Sequence, residues 1–245
     1  MLPTLQSQTD MDWDSLYKRA YVPYSEKPSA CIVESKTGRY FSGVRIENIS
    51  YPITIPAVQA ACTICLSEKE IPARIYVENK DLDQIDFWVN EFDMEIIQTK
   101  KPPEADPGAL LHRSDNTFDA LPRLKTLLDQ AVVTNSDFPV SALLFTKVGH
   151  FEGVNIEVSD WTKGICAERV VLSKAVAAGV TDFTRLEIHT KKGEISSPCG
   201  ACRQVIAEFL PYHDIMLHHA DGTLSEHLSI DLLPFSFKST SLKKE

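Results

Sequence analysis

The chain has 245 residues, 43% of them hydrophobic, and a formal net charge of −9 from 25 Lys and Arg against 34 Asp and Glu. That is enough apolar material for one large domain or two ordinary ones. The basic residues are scattered, with no run longer than a pair such as Lys243-Lys244, which excludes a broad nucleic-acid or membrane surface, since both need a basic face.

In chain order, a helix is predicted around Trp13 to Ala20, a strand over Ala30 to Glu34, a turn at Gly38 and a strand over Tyr40 to Glu47. A helical run over Ala57 to Leu66 and a strand over Arg74 to Glu78 follow. Residues 100–108 are dense in proline and charge and read as a linker. A second series then begins: a helix around Phe118 to Val132, a strand over Val140 to Thr146, a turn at Gly149 and a strand over Phe151 to Val158. Ala167, Val170, Val171, Lys174, Ala175 and Ala178 recur at helical spacing, with Gly179 as the stop. A strand over Arg185 to Thr190 precedes a helix marked by Cys202, Val205, Ile206 and Phe209 and closed by Pro211.

The two series are copies of each other. Phe41-Ser42-Gly43-Val44-Arg45-Ile46-Glu47 matches Phe151-Glu152-Gly153-Val154-Asn155-Ile156-Glu157, and the same offset carries Ile55-Pro56-Ala57-Val58-Gln59 onto Ile165-Cys166-Ala167-Glu168-Arg169. One further residue of offset brings Ala20 to Ser25 onto Ala131 to Ser136, and Pro28 onto Pro139. Helices alternating with strands predict an α/β fold of two tandem modules, each a mixed β-sheet layered between α-helices. The expected boundaries are residues 11–100, a linker at 101–113, and residues 114–245.

Only the second copy carries chemistry. Cys166 precedes one helix, while Cys199 and Cys202 lie one turn apart at the start of another. Helix N-termini favour thiolates, so both starts can aim sulfur at one ion. A structural zinc site closes with four protein ligands; three cysteines leave a position for water, whose pKa zinc lowers from about 15.7 toward ~7. The histidines show no spacing that completes a finger or ribbon. Glu168 stands near the metal without having to bind it, and Arg169 and Arg203 can offset the thiolate charge. The plainer alternative is buried cysteines beside a surface glutamate. Cys62-Thr63-Ile64-Cys65 has no partner ligands and reads as buried small side chains.

Cys166-Ala167-Glu168-Arg169 followed by Pro198-Cys199-Gly200-Ala201-Cys202-Arg203-Gln204 resembles the cytidine deaminase family, whose three-cysteine zinc centres use a non-ligand glutamate as acid and base. The resemblance implies one zinc ion per chain, in the second module, held by Cys166, Cys199 and Cys202, with Glu168 as proton shuttle. It implies that Phe138 packs on the base, that Asn155 and Glu157 meet the sugar hydroxyls, that Ala167 lines the substrate pocket, and that Phe237 reaches into a neighbouring module's site. The implied reaction is hydrolysis of cytidine and deoxycytidine to uridine and deoxyuridine, in pyrimidine salvage. The partners implied are a nucleoside and water, and a homodimer whose four modules mimic the family's tetramer.

Three departures border the pocket. Val158-Ser159-Asp160-Trp161 stands where the family has Asn-Ala-Ser-Tyr, Asn135 replaces a tyrosine, and Ser141 replaces a glycine. They raise a second reading, deamination of another aminopyrimidine nucleoside such as a blasticidin-type antibiotic. A third is a silent zinc-stabilised scaffold, which would have no use for Glu168. In the first copy Pro56, Val58, Gln59 and Arg45 replace Cys166, Glu168, Arg169 and Asn155, so that module is expected to bind no zinc and to serve as scaffold. No stretch reaches membrane-span length, and no apolar run follows a basic start within the first ten residues. The expected location is therefore the cytoplasm, with reduced thiols.

Overall fold

The computed structural model describes residues 11–115 and 117–237. The first module runs α1 (Trp13–Tyr17), β1 (Ala30–Ser35), β2 (Tyr40–Val44), α2 (Ala57–Ser67), β3 (Pro72–Val77), α3 (Ile85–Phe92) and β4 (Glu95–Gln98). The second runs α4 (Ala120–Leu127), β5 (Val140–Thr146), β6 (Gly149–Val154), α5 (Ala167–Ala177), β7 (Phe183–Thr190), α6 (Gly200–Phe209), β8 (Asp214–His218), β9 (Leu224–Leu228) and α7 (Ser229–Leu232). Both are α/β modules with a mixed sheet. The strand orders are β2-β1-β3-β4 and β6-β5-β7-β8-β9. In each, the hairpin and the next pair are antiparallel, β1 with β2 and β3, β5 with β6 and β7. The pairs β3–β4 and β7–β8 are parallel. The second sheet gains an antiparallel edge, β9 on β8.

The repeat holds at the level of single bridges. Tyr21 pairs with Ile46 and Ile46 with Ile55; Val132 pairs with Ile156 and Ile156 with Ile165. These bridges end the strands sooner than the sequence suggests. β2 stops at Val44 and β6 at Val154, because the next residues leave the sheet to meet the chain entering the following helix. The bridge at Tyr21 likewise limits α1 to Trp13–Tyr17, capped by Asp12, whose side chain accepts from Ser15 N–H at 2.8 Å. The bridge at Val132 turns the end of α4 into a 3-10 turn over Leu128–Gln130.

Gly38 is a turn residue, with φ of +86°. Gly149 is not: it opens β6, paired with Thr146, because a Cβ there would lie 2.1 Å from the His112 carbonyl oxygen. His112 pairs with His150 and a 3-10 turn covers Pro107–Leu110, so the proline-rich connection lies against the second module.

α2 is buried along its whole length and α5 is buried everywhere except the half-buried Arg169. A helix that is apolar on all sides belongs inside. These two lie between the modules, each packed on its own hairpin and on the other. Their approach needs glycine: a Cβ at Gly43 would stand 2.2 Å from the Ala57 carbonyl oxygen and 2.4 Å from the Ala61 nitrogen. At Gly153 the nearest atom is a Val171 methyl at 2.8 Å. Among the described residues no helix is long and apolar enough to cross a membrane.

Backbone cannot yield as a methyl group can, so Gly43→Ala should destabilise the chain more than Gly153→Ala, each by about 1–3 kcal/mol or more. Urea denaturation of the two variants against the parent checks the order.

Candidate active site

Cys166 occupies the N-cap of α5, with φ −73° and ψ 157°, and Cys199 the N-cap of α6, with φ −66° and ψ 167°. The extended backbone of an N-cap turns the residue out of the helix while the unpaired N–H groups of the first turn point past it. Cys202 follows one turn into α6, fully buried. The three sulfurs lie within 4.8 Å of one another, and Cys166 Sγ is 3.8 Å from Cys199 Sγ. A tetrahedral ion with bonds of about 2.3 Å to sulfur has an S···S edge of about 3.8 Å, so the donor set and its spacing fit zinc. Among the described residues this is the one cluster of three His, Cys, Asp or Glu side chains able to hold a metal.

The sulfurs share their protons unequally. Hydrogen bonding with Cys166 and Cys202, and the backbone N–H groups of Cys202 and Ala201, draw the Cys199 thiol far below its ordinary value. Cys166 and Cys202 are held up in turn.

Glu168, in the first turn of α5, is 6% exposed, and its Oε2 is buried with no hydrogen-bond partner. Burial pushes its carboxyl up to about 7; its own backbone N–H opposes the rise, the Cys199 charge adds to it, and Arg169 pulls against it. An unpartnered buried carboxylate oxygen is costly unless something not of the chain meets it. Beside it opens a cavity of about 480 Å³ whose walls include Phe138, Asn155, Glu157, Trp161, Cys166, Glu168 and Cys199.

The other residues singled out by sequence fall in different places. Phe138, 36% exposed, forms one wall of the cavity. Asn155 donates from Nδ2 to the Phe138 carbonyl at 2.9 Å and accepts the Val140 N–H on Oδ1 at 2.8 Å. Glu157 accepts the N–H groups of Asn135 at 2.8 Å and Ser136 at 3.1 Å, and the Ser136 hydroxyl. Burial raises the Glu157 carboxyl, but these bonds outweigh it and hold the group below its usual range. Ala167 is buried in the first turn of α5 and is not in the wall of the cavity.

Arg169 donates to the Ile53 carbonyl of the first module at 3.0 Å, and its Nε is buried without a partner. Arg203 donates to Pro198 O at 2.9 Å, Ser197 Oγ at 2.6 Å and Leu232 O at 3.3 Å, tying the loop before Cys199 to α7. No hydrogen bond from either guanidinium to sulfur occurs among the described residues. Phe237 is 54% exposed, and its carbonyl accepts from Gln204 at 3.4 Å; its ring is not in the wall of this cavity.

Trp161 and Ile195, each 65% exposed, are walls that motif reasoning did not assign. The signal for Trp161 was present in the repeat, since Tyr51 occupies the same place in the first module and is 84% exposed. Cys31, Cys62 and Cys65 are buried free thiols that burial pushes up, as expected of small core side chains.

Three sulfurs spaced for a tetrahedral ion beside a buried carboxylate, on the second of two α/β modules, make a candidate zinc centre suited to acid–base hydrolysis. A family model for the cytidine and deoxycytidylate deaminase zinc-binding region matches residues 118–217, and a second model of the same description matches residues 15–84. A cytidine deaminase from Sporosarcina psychrophila is 40% identical over 123 residues, 48% of this chain and 88% of the relative. One from Halalkalibacterium halodurans is 35% identical, covering 46% and 86%. A blasticidin-S deaminase from Bacillus cereus is 28% identical, covering 40% and 76%. Among solved structures, the cytidine deaminase of Burkholderia pseudomallei aligns over 46% of this chain and 93% of its own, at 33% identity and a TM-score of 0.45. The chain belongs to the cytidine deaminase family.

The depressed Glu157 carboxyl stabilises the 135–138 loop at every pH above the ordinary carboxylate value of about 4.5, and this contribution is lost as pH falls through its lower folded value. The melting-temperature gap between the parent and Glu157→Gln should therefore stay constant from neutrality down to about 4.5 and shrink as pH is lowered further.

Proposed function

We propose that the chain hydrolyses cytidine and deoxycytidine to uridine and deoxyuridine, with release of ammonia. The observation that carries this reading is the buried, unpartnered Glu168 oxygen beside three zinc-spaced sulfurs at one wall of a nucleoside-sized cavity. Cys166, Cys199 and Cys202 hold a single zinc ion per chain, in the second module. Zinc supplies Lewis acidity there, lowering the pKa of water from about 15.7 toward ~7.

The work of the chain itself is positioning and proton transfer. Glu168 takes a proton from water as the water oxygen bonds to carbon 4 of the pyrimidine, and passes it to ring nitrogen 3. The second water proton leaves through Glu168 to the amino group, the carbon–nitrogen bond breaks, and ammonia departs from a new carbonyl. One water proton ends on the ring and the other on ammonia. Phe138 packs on the base. Asn155 and Glu157 keep capacity for sugar hydroxyls: the amide has one Nδ2 hydrogen and one Oδ1 lone pair left, and a carboxylate can accept about four bonds.

In this reading residues 11–100 form a degenerate module, 101–113 the connection and 114–245 the catalytic module. Two chains pair so that their four modules form a tetramer-like assembly, with Phe237 reaching a neighbouring site. Arg169 and Arg203 offset the thiolate charge through space, without hydrogen bonds to sulfur. The enzyme serves pyrimidine salvage in the cytoplasm. A blasticidin-type nucleoside is the second substrate class, favoured by the departure at Val158 to Trp161; parallel turnover assays with cytidine and blasticidin S separate the two.

Glu168→Gln should keep its fold and one zinc per chain yet release no ammonia from cytidine, while Cys202→Ser should lose zinc. Deamination by Glu168→Gln at the parent's rate would remove the mechanism, and two zinc ions per chain would remove the claim that the first module is empty.

A further inference from the structure

The segment from Ser159 to Lys163 forms one rim of the catalytic cavity and carries Trp161 at the start of a 3-10 turn. Asp160 caps that turn, accepting the Thr162 N–H at 2.9 Å and the Thr162 hydroxyl at 2.7 Å. The turn is thus internally formed, but its placement is not internal. At one end, Glu91 of α3 accepts the Ser159 N–H at 2.9 Å on Oε1 and the Ser159 hydroxyl on Oε2. At the other end, Gln59 of α2 donates from Nε2 to the Lys163 carbonyl at 2.9 Å. Both side chains belong to the module without cysteine ligands at its helix starts. Gln59 is 4% exposed, so the amide has been taken out of water to make that bond.

We propose that the degenerate first module sets substrate affinity in the second module's cleft, with Glu91 and Gln59 positioning the 159–163 rim, and so Trp161, against the nucleoside. This rests on the deaminase reading given above. The segment held in this way is the one that departs from the family's Asn-Ala-Ser-Tyr. Ser159 supplies both the N–H and the hydroxyl that Glu91 binds, so the change of rim sequence and its support from the first module go together. Among the described residues, no other hydrogen bond or ion pair joins residues 159–163 to the rest of the fold. Gly164 follows at once, and Trp161, 65% exposed, has little packing to hold it.

The twofold-related contact supplies a control. Glu208 of α6 accepts the Ile49 N–H at 2.9 Å and the hydroxyls of Tyr21 and Tyr24 at 2.9 and 2.7 Å, so it holds the matching rim of the first module's cleft. It crosses the same interface and touches no wall of the catalytic cavity.

The experiment compares Glu91→Ala, Gln59→Ala, Glu91→Gln and Glu208→Ala in the zinc-loaded full chain. KM and kcat for cytidine, zinc content, melting temperature and iodide quenching of tryptophan emission are measured. Trp13 and Trp88 are 3% and 0% exposed, so quenching reports on Trp161. Glu91→Ala and Gln59→Ala should raise KM roughly three- to tenfold, with kcat and zinc within about twofold of the parent, as expected for lost binding without lost chemistry. Both should also increase the quenching, and Glu91→Gln, which keeps one acceptor oxygen, should lie between. Glu208→Ala should lower the melting temperature and leave KM and quenching unchanged. Unchanged KM in Glu91→Ala and Gln59→Ala, or KM that follows melting temperature across all four variants, overturns the proposal. If the parent turns over no cytidine, the deaminase reading has failed, and quenching alone decides whether Glu91 and Gln59 position the rim; unchanged quenching overturns that too.

Discussion

The structure depends on two helices that are buried along almost their whole length. α2 and α5 lie against each other between the two modules, and each brings its own hairpin within van der Waals range through a glycine, Gly43 or Gly153. An approximate twofold relates them, and its evidence is chemical. Arg169 of α5 donates to the carbonyl of Ile53, and Gln59 of α2 donates to the carbonyl of Lys163. The donors match in the repeat and so do the acceptors. Glu208 and Glu91 repeat the exchange further out, one accepting the Ile49 N–H and the other that of Ser159. A self-complementary contact of this kind is what a twofold interface between identical subunits requires; here it has been kept inside one chain.

The symmetry is broken where the modules must be told apart. Lys174 stands where α2 has Ile64, fully buried, and its Nζ donates to Glu68 Oε1 at 2.6 Å and to the Glu152 carbonyl at 2.7 Å. Burial presses the Lys174 ammonium below its ordinary value while Glu68 opposes that shift. Burial works against Glu68 ionising as well, but Lys174 and then Arg39 outweigh it and keep the carboxyl low. A buried ion pair adds little net stability over an apolar pair of the same shape, yet losing one partner is severe. The pair is satisfied where α5 meets the end of α2, and removing either partner would leave a buried charge alone.

Much of this was legible in the sequence, for reasons that can be located. Cys166, Cys199 and Cys202 declared the centre because thiolates at helix starts have few other uses at that spacing. The repeat announced two modules of one architecture, and the matching bridges at Ile46 and Ile156 agree with it, although they cut short the strands the sequence suggests. What stayed hidden was long-range and backbone-borne. Gly149 looked like a turn because its true constraint, the carbonyl of His112, lies 37 residues away in the chain. The edge strands β4 and β9 hold only half-buried and exposed residues, too little apolar contrast to announce a strand. Arg169 and Arg203 sat beside ligands in sequence, but their hydrogen bonds go to backbone carbonyls and to the Ser197 hydroxyl, because the nearest acceptor to a guanidinium is fixed by the fold and not by chain order.

Having both modules in one chain separates what folding requires from what chemistry requires. Pro56 takes the N-cap of α2 with φ −61° and ψ 150°, almost the Cys166 backbone, so the helix start survives the loss of the ligand. Glu47 accepts the N–H groups of Tyr24 and Ser25, both at 3.1 Å, and the Ser25 hydroxyl, the same clamp that Glu157 makes. A carboxylate retained in a cleft without cysteines is there for the loop. In the first module Arg45, at the place of Asn155, donates to Glu47 at 3.0 Å and pairs with Asp83, so a cleft of about 640 Å³ is lined with charge where the second module has an amide. Glu157 therefore carries a folding duty before any duty toward a sugar, whereas Cys166, Glu168 and Asn155, each replaced in the first module with the backbone around it kept, are the positions the fold could spare.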